Sequence, residues 1–162
     1  GTFDPAHKGH LEISKQAKKK YKLNYVIWAI TKKNPFKKKS KTKLINRIRF
    51  AKKIIGLNKF IKITFYENKI KSNKTFDLIN HIKIKNSVSD LYFIMGADNL
   101  INFHKWHKWK SISKKCNILV FDRQGYKAKS LKSIAFKRLN QKGLEFIKLK
   151  KINISSSQLR KI

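Results

Sequence analysis

Acidic residues are scarce: 8 Asp and Glu stand against 41 Lys and Arg in 162 residues, a formal net charge of +33. Such an imbalance admits a nucleic-acid binder, because lysines neutralise phosphates and release counterions. Arginine is scarce as well, confined to positions 47, 49, 123, 138 and 160, and it is the residue favoured for bidentate base and phosphate recognition. The lysines are spread through every segment and form no single stripe. They read as compositional drift on solvated faces, of the kind an A+T-rich coding sequence produces. The field still attracts anions, nucleotides included. Charge alone selects no function.

Other shortages are more restrictive. A lone Cys116 excludes an internal disulfide and suits a cytoplasmic chain. The longest apolar runs, NYVIWAI at 24–30 and DLYFIMGA at 90–97, are too short to span a bilayer. No basic start leads into an apolar segment, so no signal peptide is read. What is present is 41% hydrophobic and 12% aromatic residues, which argues against disorder. A single domain over 1–162 is long enough to bury a core unaided.

Apolar strands alternate with amphipathic helical stretches. The expected strands are 24–30, FIKITFYE at 60–67, LYFIM at 91–95, NILVFD at 117–122 and EFIKL at 145–149. Expected helices begin at His10, at Thr42 with Leu44, Ile48, Ala51 and Ile55 on one face, at Thr75, and at Ser130 as one helix SLKSIAFKRLN. A helical stretch carrying tryptophans lies between the third and fourth strands, and the tail SSSQLRKI starts another helix. Residues 31–41 form a basic loop broken by Pro35. Such alternation implies an α/β fold with an open, mostly parallel sheet and helices on both faces. Ligands in such sheets bind at the carboxyl ends of strands, where the motifs of this chain fall.

In GTFDPAHKGH, His7 and His10 flank Gly9 at a helix entrance. A helix N-terminus offers free N–H groups and partial positive charge to a phosphate, and glycine permits close approach. Two surface histidines capping a helix are the plainer alternative. Ser155, Ser156, Ser157 and Arg160 would set hydroxyls, N–H groups and a guanidinium at another helix start, suited to phosphates or to ordinary capping. Gly96 and Asp98 follow a strand, where a carboxylate can accept from a ribose hydroxyl pair or cap a helix. Trp106 and Trp109 are three apart and would share a helix face, for stacking or for core packing. Cys116, beside a strand, reads as buried and inert.

GTFDPAHKGH resembles the signature of the H-x-G-H nucleotidyltransferase superfamily. Three further stretches resemble the bacterial nicotinate-nucleotide adenylyltransferases. MGADNLINFHKWHKWKSI at 95–112 matches G-A-D followed by F-x-x-W-x-x-W, and ISSSQLR at 154–160 matches I-S-S-T-x-I-R with Ser157 for threonine. KTFDLI at 74–79 matches a threonine-led helix start, with Leu78 where many members have a second threonine. The resemblance covers essentially the whole chain and implies a Rossmann-like fold. It further implies a first strand preceding Gly1 in mid-sheet and a helix beyond Arg160, neither within the sequence.

What the resemblance implies chemically is adenylyl transfer from ATP to nicotinate mononucleotide. His7 and His10 would serve the α-phosphate, within an ATP seat that takes in Gly1, Thr2, Phe3 and Gly9. Gly96 and Asp98 would contact the adenosine, and Arg160 with Ser155, Ser156 and Ser157 the leaving pyrophosphate. Trp106 would stack on the nicotinate ring, Thr75 would hold its carboxylate or the mononucleotide phosphate, and Lys37 in NPFK answers loosely to a P-P-H-K substrate loop. Mg2+ would bridge the phosphates with waters as its other ligands, without a protein cage. No specific nucleic acid and no membrane is implied as partner. Pantetheine-phosphate adenylyltransferase and cytidylyltransferases are the nearest rivals, and G-A-D with F-x-x-W-x-x-W argues against both. A class I aminoacyl-tRNA synthetase would need a K-M-S-K-S-like segment, which is missing. A basic nucleic-acid-binding module stands as the alternative of another class.

Overall fold

The structure, a computed structural model, describes residues 1–34, 36, 38, 40–86 and 90–149. The chain divides into two compact units, one of them Gly1–Asn73 and the other beginning at Lys74.

In the first unit the order is α1 (Lys8–Tyr21), β1 (Val26–Ala29), α2 (Leu44–Ile55), β2 (Ile61–Thr64) and α3 (Glu67–Ile70). Strands β1 and β2 pair in parallel, from Val26↔Ile61 to Ala29↔Thr64, so α2 lies in the crossover that a parallel pair requires. Gly56 ends α2 at φ +54°, a conformation that suits glycine. Trp28, Ile30, Ala17, Ala51 and Ile61 are buried together with Val26 and Ile55. The stripe of α2 departs from expectation. Ala51 and Ile55 are buried as read, but the third buried position is Arg47, while Leu44 and Ile48 are only half-buried.

The second unit runs α4 (Thr75–Lys85), β3 (Tyr92–Gly96), α5 (Ala97–Leu100), a 3-10 turn (Phe103–Lys105), α6 (Trp109–Lys115), β4 (Asn117–Phe121), α7 (Lys127–Leu131), α8 (Ile134–Leu139) and β5 (Leu144–Ile147). Its sheet is ordered β3-β4-β5 and every pairing is parallel. In β4, Ile118, Leu119, Val120 and Phe121 are all buried. Successive strand side chains point to opposite faces, so this strand is covered on both. Each such side chain stabilises the unit by roughly 1.5–3 kcal/mol through burial. Phe103, Leu100 and Ile112 complete the core with Phe76 and Ile79 of α4.

Two expectations fail in this unit. The helix expected over SLKSIAFKRLN is two helices, because the Ser133 hydroxyl caps a new start by accepting from Phe136 N–H (3.1 Å). Trp106 and Trp109 do not share a helix face: Trp106 is extended (ψ 146°) after the 3-10 turn, and α6 starts only at Trp109, behind a left-handed Lys108 (φ 51°).

Candidate active site

The opening turn is built against the end of β1. The Gly1 amino group donates to Ala29 O (2.8 Å) and Thr31 N–H donates to Gly1 O (2.8 Å). Phe3 follows with φ +46°, an unfavourable region for a residue with a Cβ. Packing holds it there, since its ring stacks on Trp28 at 4.9 Å and meets His10 at 4.8 Å. Asp4 is buried and its Oδ2 accepts from Lys41 N–H at 3.0 Å.

His7 is the N-cap of α1, and both imidazoles accept at Nδ1. Gly9 N–H donates to His7 Nδ1 at 3.1 Å, and His7 N–H donates to His10 Nδ1 at 3.2 Å. An imidazole nitrogen that accepts carries no proton, so each ring is the neutral tautomer protonated at Nε2. The capping alternative is therefore correct for Nδ1 of both rings. Ring centroids 4.0 Å apart place the two imidazoles side by side. No carboxylate occupies the first turn of α1, so its positive end is uncompensated from within the helix. Behind His10, Trp28 Nε1 donates to Ser14 Oγ (2.9 Å), which donates to His10 O (2.8 Å). This region presents a helix N-terminus and two imidazoles side by side, features that suit an anion.

In the second unit Gly96 and Asp98 follow β3 as expected. Gly96, not Asp98, is the N-cap of α5. A Cβ on Gly96 would lie 2.6 Å from Asp98 Oδ1, so glycine leaves room for that carboxylate. Asp98 Oδ2 accepts from Arg123 at 2.6 Å. Arg123, the partner of that carboxylate, is a residue that sequence reasoning missed. The signal was available in the parallel register, which pairs Gly96 with Phe121 and so carries the residues after β3 and β4 to one end of the sheet. Trp106 packs edge-on against Phe103 (5.3 Å) and Phe93 (6.1 Å), and Trp109 also meets Phe103 (6.0 Å). Thr75 opens α4, and its neighbour Phe76 touches the ring of His107 (6.1 Å), so Thr75 and Trp106 sit on adjoining segments.

Lys37, Arg160, Ser155, Ser156 and Ser157 lie outside the described residues. Among the described residues no group of three or more His, Cys, Asp or Glu side chains is placed to hold a metal ion. No described helix is long and apolar enough to cross a membrane. A hollow of about 540 Å3 lined by Lys110, Lys114, Lys137, Arg138 and Lys142 lies where α6 and α8 end, towards the amino ends of β4 and β5. It contains none of the expected site residues. Cys116 is buried, its thiol donates to Ile112 O (3.3 Å), and burial pushes its pKa up to about 11.

Known proteins resemble this arrangement throughout. The cytidylyltransferase-like family model matches residues 1–162. A probable nicotinate-nucleotide adenylyltransferase of Pelagibacter ubique is 72% identical over the whole chain and 89% of its own length. One from Nitratiruptor is 37% identical over 78% of this chain and 72% of its own. A Plasmodium falciparum nicotinic acid mononucleotide adenylyltransferase complexed with NaAD superposes with a TM-score of 0.75 at 18% identity, covering 99% of this chain and 80% of that one. The same fold recurs in that enzyme complexed with APC, at a TM-score of 0.76.

Proposed function

The chain belongs to the cytidylyltransferase-like family and, within it, to the nicotinate-nucleotide adenylyltransferases, and from that premise we propose how its residues divide the work. The reaction is adenylyl transfer from ATP to nicotinate mononucleotide, giving nicotinate adenine dinucleotide and pyrophosphate, a step in NAD biosynthesis. A phosphate oxygen of the mononucleotide attacks the α-phosphorus of ATP in line. One P–O bond forms, the bond to the bridging oxygen breaks, and the electron pair leaves with pyrophosphate. No protein nucleophile takes part, so catalysis consists of positioning and charge stabilisation.

The observation that carries this reading is the paired tautomer of His7 and His10. With both Nδ1 atoms accepting from backbone N–H groups, two Nε2–H donors serve the α-phosphate at the start of α1. Neutral donors gain strength as charge builds on the phosphoryl oxygens, and they need no reorganisation to do so. Gly1, Thr2, Phe3 and Gly9 shape the ATP seat around them, and Gly96 with Asp98 receives the adenosine. Arg123, fixed on Asp98, orients that carboxylate. Trp106 offers its face to the nicotinate ring, whose pyridinium charge suits cation–π contact. Thr75 and Lys37 complete the mononucleotide site, and Arg160 with Ser155, Ser156 and Ser157 takes the pyrophosphate. Magnesium enters bound to the ATP phosphates as part of that substrate. A family match spanning 1–162 supports one nucleotidyltransferase domain, and the lone cysteine supports a cytoplasmic setting.

His10→Ala tests the central assignment. Removing one fixed donor lowers kcat on the order of 100-fold, with a smaller change in the KM for ATP. Unchanged turnover removes His10 from the site.

A further inference from the structure

The guanidinium of Arg47 is the one cation among the described buried residues of the first unit. Its partners are backbone carbonyls. Nη1 donates to Thr2 O (2.6 Å) and Thr31 O (2.7 Å), Nη2 to Lys32 O (3.2 Å) and Nε to Thr42 O (3.2 Å). Thr2 belongs to the opening turn, Thr31 and Lys32 follow the end of β1, and Thr42 precedes α2. The Thr31–Lys32 and Thr42 segments are the two ends of the basic loop that carries Lys37. A second tie runs the same way, since Asp4 of the turn accepts from Lys41 N–H at the loop exit. Burial holds the Arg47 pKa below its ordinary value, with Asp4 and Glu67 acting in the opposite sense. Only a planar fork with several fixed N–H directions can reach three backbone segments at once, and an ammonium on a flexible stem cannot.

We propose that Arg47 is a positioning residue that couples the ATP-binding turn to the loop receiving the mononucleotide. The proposal rests on the functional reading above, in which the turn holds ATP and the loop meets the second substrate. By tying Thr2 to both loop ends, Arg47 preorganises the backbone segments that each substrate meets, so loosening the tie weakens the binding of both. Filling one site then stiffens the other through shared backbone, without contact between Arg47 and either ligand.

The test compares Arg47→Lys with the wild-type protein and with the exposed Arg49→Lys as control. Wild-type dinucleotide formation is measured first; its absence defeats the functional reading and says nothing of the clamp. With the wild type active, Arg47→Lys raises the KM for ATP and for nicotinate mononucleotide, each by about 10-fold, while Arg49→Lys leaves both unchanged. A residue that only stabilises the fold behaves differently: loss of folded protein lowers kcat per mole and leaves both KM values alone. That pattern, or a wild-type KM for either substrate in Arg47→Lys, overturns the proposal. Hydrogen exchange on the wild type supplies a second test that no folding defect can spoil. A non-hydrolysable ATP analogue alone slows exchange of the amides from Lys41 to Arg47, and exchange unchanged there overturns the coupling.

Discussion

At the scale of single residues, the chemistry is decided by which nitrogen or oxygen the backbone has already claimed. His7 and His10 give their Nδ1 atoms to N–H groups and are thereby set as Nε2–H donors. Gly96 earns its place by what is missing, a Cβ that would meet Asp98 Oδ1 at 2.6 Å. Cys116 shows the opposite outcome, a reactive atom made inert. Its pKa, pushed from 9.0 up to about 11, leaves about a hundredfold less thiolate at a given pH than an exposed cysteine has, and the thiolate is the nucleophile. Iodoacetamide at pH 8 should label the native protein on the order of 100-fold more slowly than the unfolded chain. The native rate should climb as pH approaches the shifted pKa. Equal labelling of the two states would show that Cys116 is neither buried nor shifted. The H-x-G-H pair, the G-A-D stretch and the buried cysteine were legible in sequence. Arg47 was not, because periodicity assigns a charged residue to solvent and cannot see the carbonyls of Thr2, Thr31, Lys32 and Thr42 that satisfy it.

At the scale of elements, all five strands among the described residues lie within the expected stretches or one residue from them, since short apolar runs rich in β-branched residues are unambiguous when flanked by amphipathic helices. The failures occur where local backbone chemistry outweighs periodicity. Ser133 restarts a helix that a pattern of apolar positions would carry through. Lys108 in the left-handed region separates Trp106 from α6, so a three-residue spacing there does not mean a shared face. Trp106 is held edge-on by Phe103 and Phe93, so its position is set by packing rather than by helix register. Stacking of an aromatic face on a ring contributes about 1–3 kcal/mol. Trp106→Ala is therefore expected to raise the KM for nicotinate mononucleotide by about 10-fold or more, and that for ATP much less. Equal effects on the two substrates would argue that Trp106 is a core residue alone.

At the scale of the whole molecule, 41 basic residues against 8 acidic ones make an anion-attracting surface without specifying an anion. In the proposed reading, specificity comes from a 14-residue helix opening on His7 and His10, and from a sheet whose end carries Gly96, Asp98 and Arg123. Fold class was readable from the alternation of elements, and the division into two compact units was not, because no Pro, Gly or Ser-rich stretch marks it. The charge favours encounter with both substrates, each an anion, and its influence fades as salt screens it. In the same reading, catalysis rests instead on groups at hydrogen-bonding range. The most direct measurement is pyrophosphate and dinucleotide release by the intact protein, supplied with ATP and with nicotinate or nicotinamide mononucleotide in turn. Equimolar pyrophosphate and nicotinate adenine dinucleotide, formed only when ATP and nicotinate mononucleotide are both present, is the predicted result. No release of either product, with tight and salt-sensitive binding to DNA in its place, would contradict it.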